Sequence, residues 1–447
     1  MSIPVEALSG ASNDLPIPLP VHLLVKGLPS SLFWPEVARD LIEVACAVFL
    51  ADRMHLRSRN TLASRTIALR LPVRQPKAWK RVTPQLKRAL SILGDDVFTF
   101  DFYHSTSGAG CFPVHDLLKL PTNKHSQNKG GTREQVSIER VALFSGGLDS
   151  AVAAAHLARR KGLTTFVTYY VRDIRRIEAL LKEIYETFGK GKQPPHAQFY
   201  IKPKSEFAAK LREHSRRSRS FLFVSLAIAT AQALNAREVC VCENGVIALN
   251  LPFIPAMIPT RHAHSAFLQT MESLAKDLFR RDIRIVNPFE LRTKGEMSRI
   301  FHAHPHLALQ SVSCWNQQWS GRGANYGKGH CGYCVPCLVR RASLEAANVV
   351  IPKGHFDVDV RRLASRKHLT REESATLGNY RALMSFAEQI ESCRSWRSFL
   401  RTFPDIIVSE PTLNRRSPEV WFRGLFAMLK RFAREVEHTF RLESKYD

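Results

Sequence analysis

The chain has 447 residues, of which 45% are hydrophobic and 23% are charged, a composition typical of globular proteins. It is too long for one ordinary domain, so two or three domains are expected. No apolar run reaches the roughly 18 residues that a membrane-spanning helix needs. The N-terminus lacks the basic and apolar segments of a signal peptide. We therefore expect a cytoplasmic protein with no membrane partner, which excludes transport and secreted functions.

The net charge of +25 predicts attraction to an anionic partner, such as nucleic acid, ATP or an acidic protein. Charge alone gives no specificity, and a basic surface that only maintains solubility is the alternative. Contact with nucleic acid is therefore allowed but not required. Of the nine cysteines, four lie within residues 314–337. This clustering indicates a metal site in a reducing compartment and not a disulfide framework.

Residues 1–120 are predicted to form a small α/β module. "VHLLVKG", "TIALRLPV" and "VFTFDFYHS" have the character of strands, the last two through their apolar–polar alternation. Helices are predicted for the stretch that begins "PEVARD" and for residues near 78–92. Residues 121–137 are polar and contain glycine, so we interpret them as a linker.

Residues 138–350 are predicted to form a parallel sheet with helices on both faces. Short apolar segments alternate there with helical stretches. The predicted strands are "RVALFS", "LTTFVTYY", "AQFYIKP", "EVCVCEN" and "IRIVNPF". Residues 351–447 lack strand signals apart from "DIIV", so we expect a helical region. Its last helix begins at "SPEV" and places an apolar stripe toward the core, made of Trp421, Leu425, Leu429, Phe432, Val436 and Phe440.

The stretch "VALFSGGLDS", residues 141–150, predicts an anion site. A strand that ends in two glycines and leads into a helix lets backbone N–H groups approach a phosphate closely. Ser145 and Ser150 add hydroxyl groups, and Asp149 either caps the helix or helps to hold Mg²⁺. The Walker A motif is excluded because no Lys-Ser/Thr follows the glycines. An ordinary tight turn would explain the glycines but not both serines and the aspartate.

The segment "SGGLDS" resembles the pyrophosphate loop of the PP-loop ATP pyrophosphatases, which have a Rossmann-like (HUP) core. The resemblance implies that ATP is split into AMP and pyrophosphate, so that a carboxylate or carbonyl oxygen is adenylated and then displaced by a nucleophile. It implies ATP and Mg²⁺ as cofactors and a catalytic role for Ser145, Asp149 and Ser150. The implied nucleotide-binding residues of this loop are Ser145, Gly146, Gly147, Leu148, Asp149 and Ser150.

Two later stretches resemble the 7-cyano-7-deazaguanine synthase (QueC) family. In "SRSFLFVSLAIATAQALNAREVCVCENGVIALN" a helix that begins near Arg219 precedes a strand and the loop 243–245. The resemblance implies that Glu243, Asn244 and Gly245 lie beside the nucleotide. The second stretch, "NPFELRTKGEM", resembles the Thr-Lys-x-Glu element of the family. Lys294 in it is implied to bind phosphate or a substrate carboxylate, with an ordinary surface lysine as the alternative.

Four cysteines follow the pattern C-x₁₆-C-x₂-C-x₂-C, namely Cys314, Cys331, Cys334 and Cys337. Four thiolates at such spacings fit a tetrahedral structural Zn²⁺. An iron–sulfur cluster is the alternative, but the fourth cysteine of the ferredoxin run is absent, which favours zinc. The arrangement is also similar to the zinc site of the QueC family.

The substrate segment departs from the family pattern. This chain has "PFIPAMIPTRHAHSAF" at residues 252–267, so the substrate or its acceptor is open. Candidate substrate-binding residues are Arg219, Thr260, Arg261, His262 and His264. For the two histidines, ordinary surface positions are the alternative. The histidines of "FHAHPHLAL" are predicted to have no role.

The longer layout resembles the QueC-like proteins of bacterial anti-phage operons, the QatC type especially. That resemblance implies an ATP-dependent carbon–nitrogen ligase in defence. It would join the carboxylate of 7-carboxy-7-deazaguanine to an amine, namely the N-terminus of an operon-encoded partner protein. The alternatives are an ammonia-using 7-cyano-7-deazaguanine synthase, a tRNA-modifying PP-loop enzyme, and a nucleotide-binding scaffold without activity.

Overall fold

The strands of the protein form one large and one small sheet. The computed structural model describes residues 2–5, 17–28, 32–56, 65–94, 96–105, 138–169, 174–191, 193–203, 213, 217–249, 251, 261–315, 330–409 and 417–441. Within these ranges the sheets have seven strands and two strands. The strands are β1 Ser2–Val5, β2 Ile17–Lys26, β3 Thr66–Val73, β4 Val97–His104, β5 Ile138–Leu143, β6 Leu163–Tyr169, β7 His196–Pro203, β8 Glu238–Cys240 and β9 Arg284–Val286.

Helices occur along the whole of the described chain. They are α1 Glu36–Met54, α2 Pro76–Gly94, α3 Leu148–Ala158, α4 Ile174–Phe188, α5 Arg219–Ala233, α6 Gly245–Leu249, α7 Ser265–Phe279, α8 Lys294–Ser298, α9 Pro305–Gln310, α10 Val335–Ala346, α11 Val360–Ala364, α12 Arg371–Thr376, α13 Gly378–Ser392, α14 Trp396–Thr402 and α15 Pro418–Phe440. Short 3₁₀ helices cover Arg299–Phe301 and Pro404–Ser409.

The large sheet reverses its direction of growth at β5. Its strand order is β1-β2-β7-β6-β5-β8-β9, and the five strands from β7 to β9 are mutually parallel. After β5 the chain adds β6 and β7 on one side of it, and then crosses over to add β8 and β9 on the other side. Such a switch point opens a crevice at the carboxyl ends of the strands, where ligands bind in α/β sheets.

Successive residues of β5 point to opposite faces of the large sheet and enter different cores. Val141 belongs to a core with α1, α2, α5 and α7, whereas Ala142 belongs to one with α3, α4 and α10. The α/β class, the mostly parallel sheet and the four-cysteine cluster confirm the predicted fold. No helix of the described residues combines the length and the apolar character that crossing a membrane requires.

The N-terminal region shares the large sheet with the residues that follow. Strand β2 pairs antiparallel with β7, with Val21 opposite Pro203 and Lys26 opposite Gln198. Strands β3 and β4 form the separate parallel pair, with α2 as their crossover. Helix α1 packs on α5, and α2 packs on α7. The predicted linker, residues 121–137, falls outside the described residues, and the predicted domain boundaries stay a prediction.

A further core joins the C-terminal helices to α6 and α10. Helix α15 begins after Ser417, whose Oγ accepts a hydrogen bond from the Val420 N–H at 3.3 Å. All six residues of the expected apolar stripe of α15 are buried. The "DIIV" segment is a 3₁₀ helix and not a strand, and it begins at Pro404 and buries Ile406 in the same core.

Candidate functional site

The loop between β5 and α3 forms the centre of the site. Gly146 has a left-handed φ of +72°, and a Cβ atom there would lie 2.8 Å from the Ile177 side chain, so glycine is required. Ser145 Oγ accepts a hydrogen bond from the Gly147 N–H at 3.3 Å and lies 3.2 Å from Ser150 Oγ. The two serine hydroxyls therefore meet beside the first turn of α3, where backbone N–H groups lack helical partners.

Asp149 is held by side chains from two other elements of the sheet edge. Lys294 Nζ lies 2.6 Å from Asp149 Oδ2, and Asn244 Nδ2 donates to Asp149 Oδ1 at 2.9 Å. The exposed fractions of Asp149 and Lys294 are only 8% and 5%. Gly147 is the N-cap residue of α3, so Asp149 does not cap the helix. The structure therefore brings the predicted lysine, aspartate and asparagine together at the Ser145–Ser150 loop.

Lys294 is the first residue of α8, whose start is organised by a capping box. Thr293 Oγ1 accepts from the Glu296 N–H at 3.0 Å, and a Glu296 carboxylate oxygen accepts from the Thr293 N–H at 2.9 Å. Lys294 is thus presented by a short, doubly capped turn and not by an ordinary surface helix. Lys294 is only 5% exposed, so it is not an ordinary surface lysine.

The segment after β8 is tied to the segment after β9. The Glu243 N–H donates to Asn287 Oδ1 at 3.3 Å, and Asn287 Nδ2 donates to the Glu243 carbonyl at 2.8 Å. Gly245 lies so close to the carbonyl oxygen of Glu290 that a Cβ atom would be 2.4 Å from it. His262 Nε2 lies 3.7 Å from Glu243 Oε1, so this histidine reaches the predicted nucleotide segment.

The other substrate candidates have different surroundings. His264 is buried and is the N-cap of α7, where its Nδ1 accepts from the Ala266 N–H at 3.3 Å. Burial lowers the pKa of His264 to about 4, so its ring is neutral. Arg261 Nη1 donates to the Ile92 carbonyl of α2 at 3.5 Å. Arg219 lies over the Phe223 ring at 5.5 Å. Thr260 lies outside the described residues.

The strand beside the loop carries a buried polar chain. Thr168 Oγ1 donates to the Phe144 carbonyl at 2.6 Å, and His196 Nε2 lies 2.7 Å from the same hydroxyl oxygen. Because the hydroxyl proton goes to Phe144, the His196 Nε2–H is the donor to Thr168. Burial lowers the pKa of His196 to about 4, which keeps the ring neutral in this role. The residue that precedes Ser145 is thereby held in place.

The four predicted metal ligands form one buried cluster. The Sγ atoms of Cys314, Cys331, Cys334 and Cys337 all lie within 4.8 Å of one another, and the Cys331 and Cys337 Sγ atoms are 3.8 Å apart. Zinc–sulfur bonds of about 2.3 Å in a tetrahedron place the sulfur atoms about 3.8 Å apart. The donor set and its spacing therefore fit Zn²⁺.

The chemistry of the cluster also fits a cation. Hydrogen bonding, first from Cys331, lowers the pKa of Cys314, while hydrogen bonding to Cys314 is the first cause that raises the pKa of Cys334 and of Cys337. Four buried thiols cannot all ionise without a compensating charge. A Zn²⁺ bound here would tie the segment of Cys314 to the start of α10.

The cysteine cluster is connected to the Ser145–Ser150 loop by hydrogen bonds. The Leu148 N–H points to Ser313 Oγ at 3.4 Å, and the Val312 N–H donates to the Gly146 carbonyl at 3.0 Å. Arg340, fully buried in α10, donates from Nη1 to Ser311 Oγ at 2.9 Å. Burial lowers the pKa of this guanidinium to about 10. A metal held at Cys314 would therefore stabilise the segment 311–314, which contacts the Ser145–Ser150 loop.

The comparisons with known proteins point to one family. Residues 196–348 match the family model described as "QueC: Queuosine biosynthesis protein QueC". This match and the relatives described next show similarity to the QueC family over part of the chain. The QueC-like segment begins at β7 and includes Lys294 and the four cysteines, whereas the Ser145–Ser150 loop precedes it.

Two curated relatives are similar to about half of the chain. Both are named 7-cyano-7-deazaguanine synthase, one from Cupriavidus taiwanensis and one from Cupriavidus necator. They are 27% identical over 228 residues and 28% identical over 229 residues, and each alignment covers 47% of this chain and 95% of the relative. The chain is therefore similar to these synthases over part of its length, and more than half of it lies beyond the aligned part.

Some residues of the site were not predicted from the sequence. Asn287 and Ser313 contact predicted site residues but carry no motif of their own. Asn287 directly follows β9, so its place at the carboxyl edge of a parallel sheet was a usable signal. Arg340 and Glu435 have no comparable local signal, because their partners lie in distant segments.

Proposed function

We propose that the protein is an AMP-forming ligase that adenylates the carboxylate of a 7-deazaguanine, 7-carboxy-7-deazaguanine, and transfers the acyl group to an amine. The contact of Asp149, Lys294 and Asn244 beside the Ser145–Ser150 loop is the observation that carries the proposal. The QueC-like match and the name of the two relatives support the deazaguanine substrate.

The proposed reaction has two steps. A carboxylate oxygen of the substrate attacks the α-phosphorus of ATP, the bond to the β-phosphate oxygen breaks, and pyrophosphate leaves. The amine then attacks the acyl carbon, AMP leaves with the electron pair of the broken C–O bond, and the amine nitrogen loses a proton. The adenylate makes a poor leaving oxygen into a good one.

The residues of the site have distinct proposed roles. The glycine-containing loop and the serines Ser145 and Ser150 bind pyrophosphate through N–H and O–H donors. Lys294 stabilises the negative charge that develops on the pyrophosphate oxygens as pyrophosphate leaves. Asp149 is the carboxylate assigned to Mg²⁺, which neutralises phosphate charge when it is bound. The residues of the 243–245 segment line the nucleoside side, with His262 toward the substrate.

The proposed acceptor is the N-terminal amine of an operon-encoded partner protein, in anti-phage defence. The support for a protein acceptor is the extra chain on both sides of the QueC-like segment. Specific recognition of a protein buries about 800 Å² on each partner, which the added regions are large enough to supply. An N-terminal amine has a pKa near 8, so a useful fraction is neutral at a pH close to 7.

A second candidate function is the ammonia-using synthesis of 7-cyano-7-deazaguanine. It is favoured by the name that both relatives carry and by their 95% coverage. Both functions begin with adenylation of the carboxylate, but the synthase uses ammonia and must then remove water from the resulting amide, which takes a second ATP-dependent activation. Ammonium needs no protein surface, so this candidate leaves the flanking regions without a role in the reaction.

One experiment separates the candidates. The protein is supplied with ATP, 7-carboxy-7-deazaguanine and either ammonium or the co-expressed operon neighbours, and the products are followed by mass spectrometry. AMP, pyrophosphate and a deazaguanine adduct on a neighbour's N-terminus are expected. Efficient nitrile formation from ammonium, without an adduct on a neighbour, would favour the second candidate function, the synthesis of 7-cyano-7-deazaguanine. Formation of ADP and phosphate, or modification of tRNA instead, would contradict the proposal.

A further inference from the structure

We propose that the C-terminal helix α15 is part of the phosphate site, with Glu435 and Arg431 as positioning residues for Lys294. Both lie outside the segment that matches the QueC model, which ends at residue 348. The inference rests on the proposed function, since it assigns to Lys294 the binding of ATP phosphates. It extends that function by making the last helix necessary for the geometry of the lysine.

Helix α8 is too short to hold Lys294 in place alone. It has only five residues, and the first turn of an isolated helix is unfavourable to form. The capping box of Thr293 and Glu296 organises its backbone but does not attach it to the rest of the protein. The turn also packs against α10 and α3, so the orientation of Lys294 toward Asp149 depends on these neighbours and on α15.

Both side chains of the capping box have a second partner on α15. Thr293 Oγ1 donates a hydrogen bond to Glu435 Oε1. Arg431 Nε lies 2.8 Å from Glu296 Oε1, and Arg431 Nη2 donates to the Leu291 carbonyl at 2.9 Å. The turn that presents Lys294 is therefore bound at both ends of its cap by one helix.

The backbone of the turn is fitted to the Glu435 carboxylate. A Cβ atom at Gly295 would lie 2.6 Å from Glu435 Oε1, so only glycine admits the carboxylate at this distance. The Gly295 backbone N–H donates a hydrogen bond to the Glu435 carboxylate, which lowers the pKa of Glu435 against the effect of burial. Gly295 directly follows Lys294, so a shift of the carboxylate moves the backbone that carries the lysine.

The contacts lie on one face of α15. Residues spaced by three or four along a helix share a face, and the site-facing residues follow this spacing: Gly424, Met428, Arg431 and Glu435. A Cβ atom at Gly424 would lie 3.0 Å from Leu291, and the Met428 methyl group lies 2.8 Å from the Cβ position of Gly245. The same face therefore contacts both α6, after the Glu243–Asn244 segment, and the turn before α8.

The test is a double-mutant cycle on ATP affinity measured by calorimetry with Mg²⁺ present. Glu435→Ala is expected to weaken ATP binding by about 10-fold in the wild-type background. In the Lys294→Met background the same substitution is expected to have little effect, because the lysine it positions is gone. Glu435→Gln, which keeps an acceptor oxygen for Thr293, is expected to retain most of the affinity. Glu419→Ala, on the exposed side of α15, is the matched control and should bind ATP as the wild type does.

The outcomes distinguish this inference from the proposed function. A wild-type protein that does not bind ATP contradicts the proposed function itself. A wild type that binds ATP while Glu435→Ala binds equally well, or loses the same factor in both backgrounds, overturns the positioning role. The cycle is repeated with Arg431→Met, whose half-exposed side chain can be replaced without leaving a large cavity. It must give the same non-additive result even if Glu435→Ala does not fold.

Discussion

At the scale of single residues, Gly146 shows two separate reasons for a glycine. Its φ of +72° disfavours any side chain, and Ile177 occupies the space where a Cβ atom would be. Gly354 has a similar φ of +86° but nothing within 4 Å of its Cβ position. The two positions therefore separate backbone strain from steric exclusion.

We expect Gly146→Ala to lower the free energy of unfolding more than Gly354→Ala. Backbone strain alone costs about 1–2 kcal/mol at both sites, and the contact with Ile177 adds to it only at Gly146. Urea denaturation of the two variants measures the difference. Equal losses would show that Ile177 moves away without cost and that the loop is less tightly held than its contacts indicate.

Glu435 has an acid–base property that stability measurements can detect. Burial is the first cause that raises its pKa from 4.5 to about 7, with the charge of Glu296 adding to it, while hydrogen bonds from Thr293 and Gly295 and the charge of Arg299 oppose the shift. The unfolded state releases this proton first as the pH rises. The folded state therefore loses stability between pH 4.5 and about 7, and the loss is complete above that range.

Glu435→Gln removes this proton from both states. The stability of the variant relative to the wild type is expected to rise from pH 4.5 to about 7 by roughly 3 kcal/mol and then to stay constant. Unfolding measured across pH 4.5–8 tests this, with Glu419→Gln, on the exposed side of α15, as the control. A flat difference for Glu435→Gln would mean that the carboxylate is solvated in the folded state.

At the scale of structural elements, the cysteine cluster and the Ser145–Ser150 loop are connected by direct contacts. Ser313 precedes Cys314 and contacts the Leu148 N–H, and Arg340 connects α10 to Ser311. A ligand lost from the cluster should therefore loosen residues 311–314 and, with them, the start of α3. Structural zinc contributes directly to the folding free energy.

Cys331→Ser is expected to reduce bound zinc from about one ion per chain, to lower the unfolding temperature, and to weaken ATP binding. Metal content is measured by elemental mass spectrometry, and ATP affinity by calorimetry. Cys393→Ser is the control, since Cys393 is a buried thiol of the C-terminal core, away from the cluster. A brown protein that absorbs near 400 nm would replace zinc with an iron–sulfur cluster.

The elements that the sequence predicts well are those with local signals. The alternation in "TIALRLPV", the glycines after β5 and the cysteine spacing each specify their structure within a few residues. The pairing of β2 with β7 has no such signal, because strand partners far apart in sequence are chosen by the whole sheet. The same holds for Glu435, whose partner Thr293 lies 142 residues away. The "DIIV" segment has strand propensity, but its environment overrides it, since it packs against helices.

At the scale of the whole molecule, the net charge of +25 bears on the proposed protein acceptor. Charges steer association over distances of about one Debye length, roughly 8–10 Å at 0.10–0.15 M salt. The rate of adduct formation on an acidic partner should therefore fall as salt is raised from about 0.05 to 0.5 M, whereas AMP release with ammonium as the nucleophile should change little. Parallel assays at both salt concentrations measure the two rates. An equal salt dependence of the two rates would show that the net charge does not speed the association with the partner protein.

The strand pairing of the large sheet also has a consequence for how the protein is made. Residue 26 pairs with residue 198, which is synthesised 172 positions later. At about 5–20 residues per second, the ribosome needs roughly 10–35 s to deliver the partner of β2. During that time the apolar segment "VHLLV" of β2 has left the ribosome, but its partner strand β7 has not yet been synthesised. The nascent chain is therefore expected to bind chaperones at this segment, and rapid expression at high temperature should favour aggregation over the folded protein.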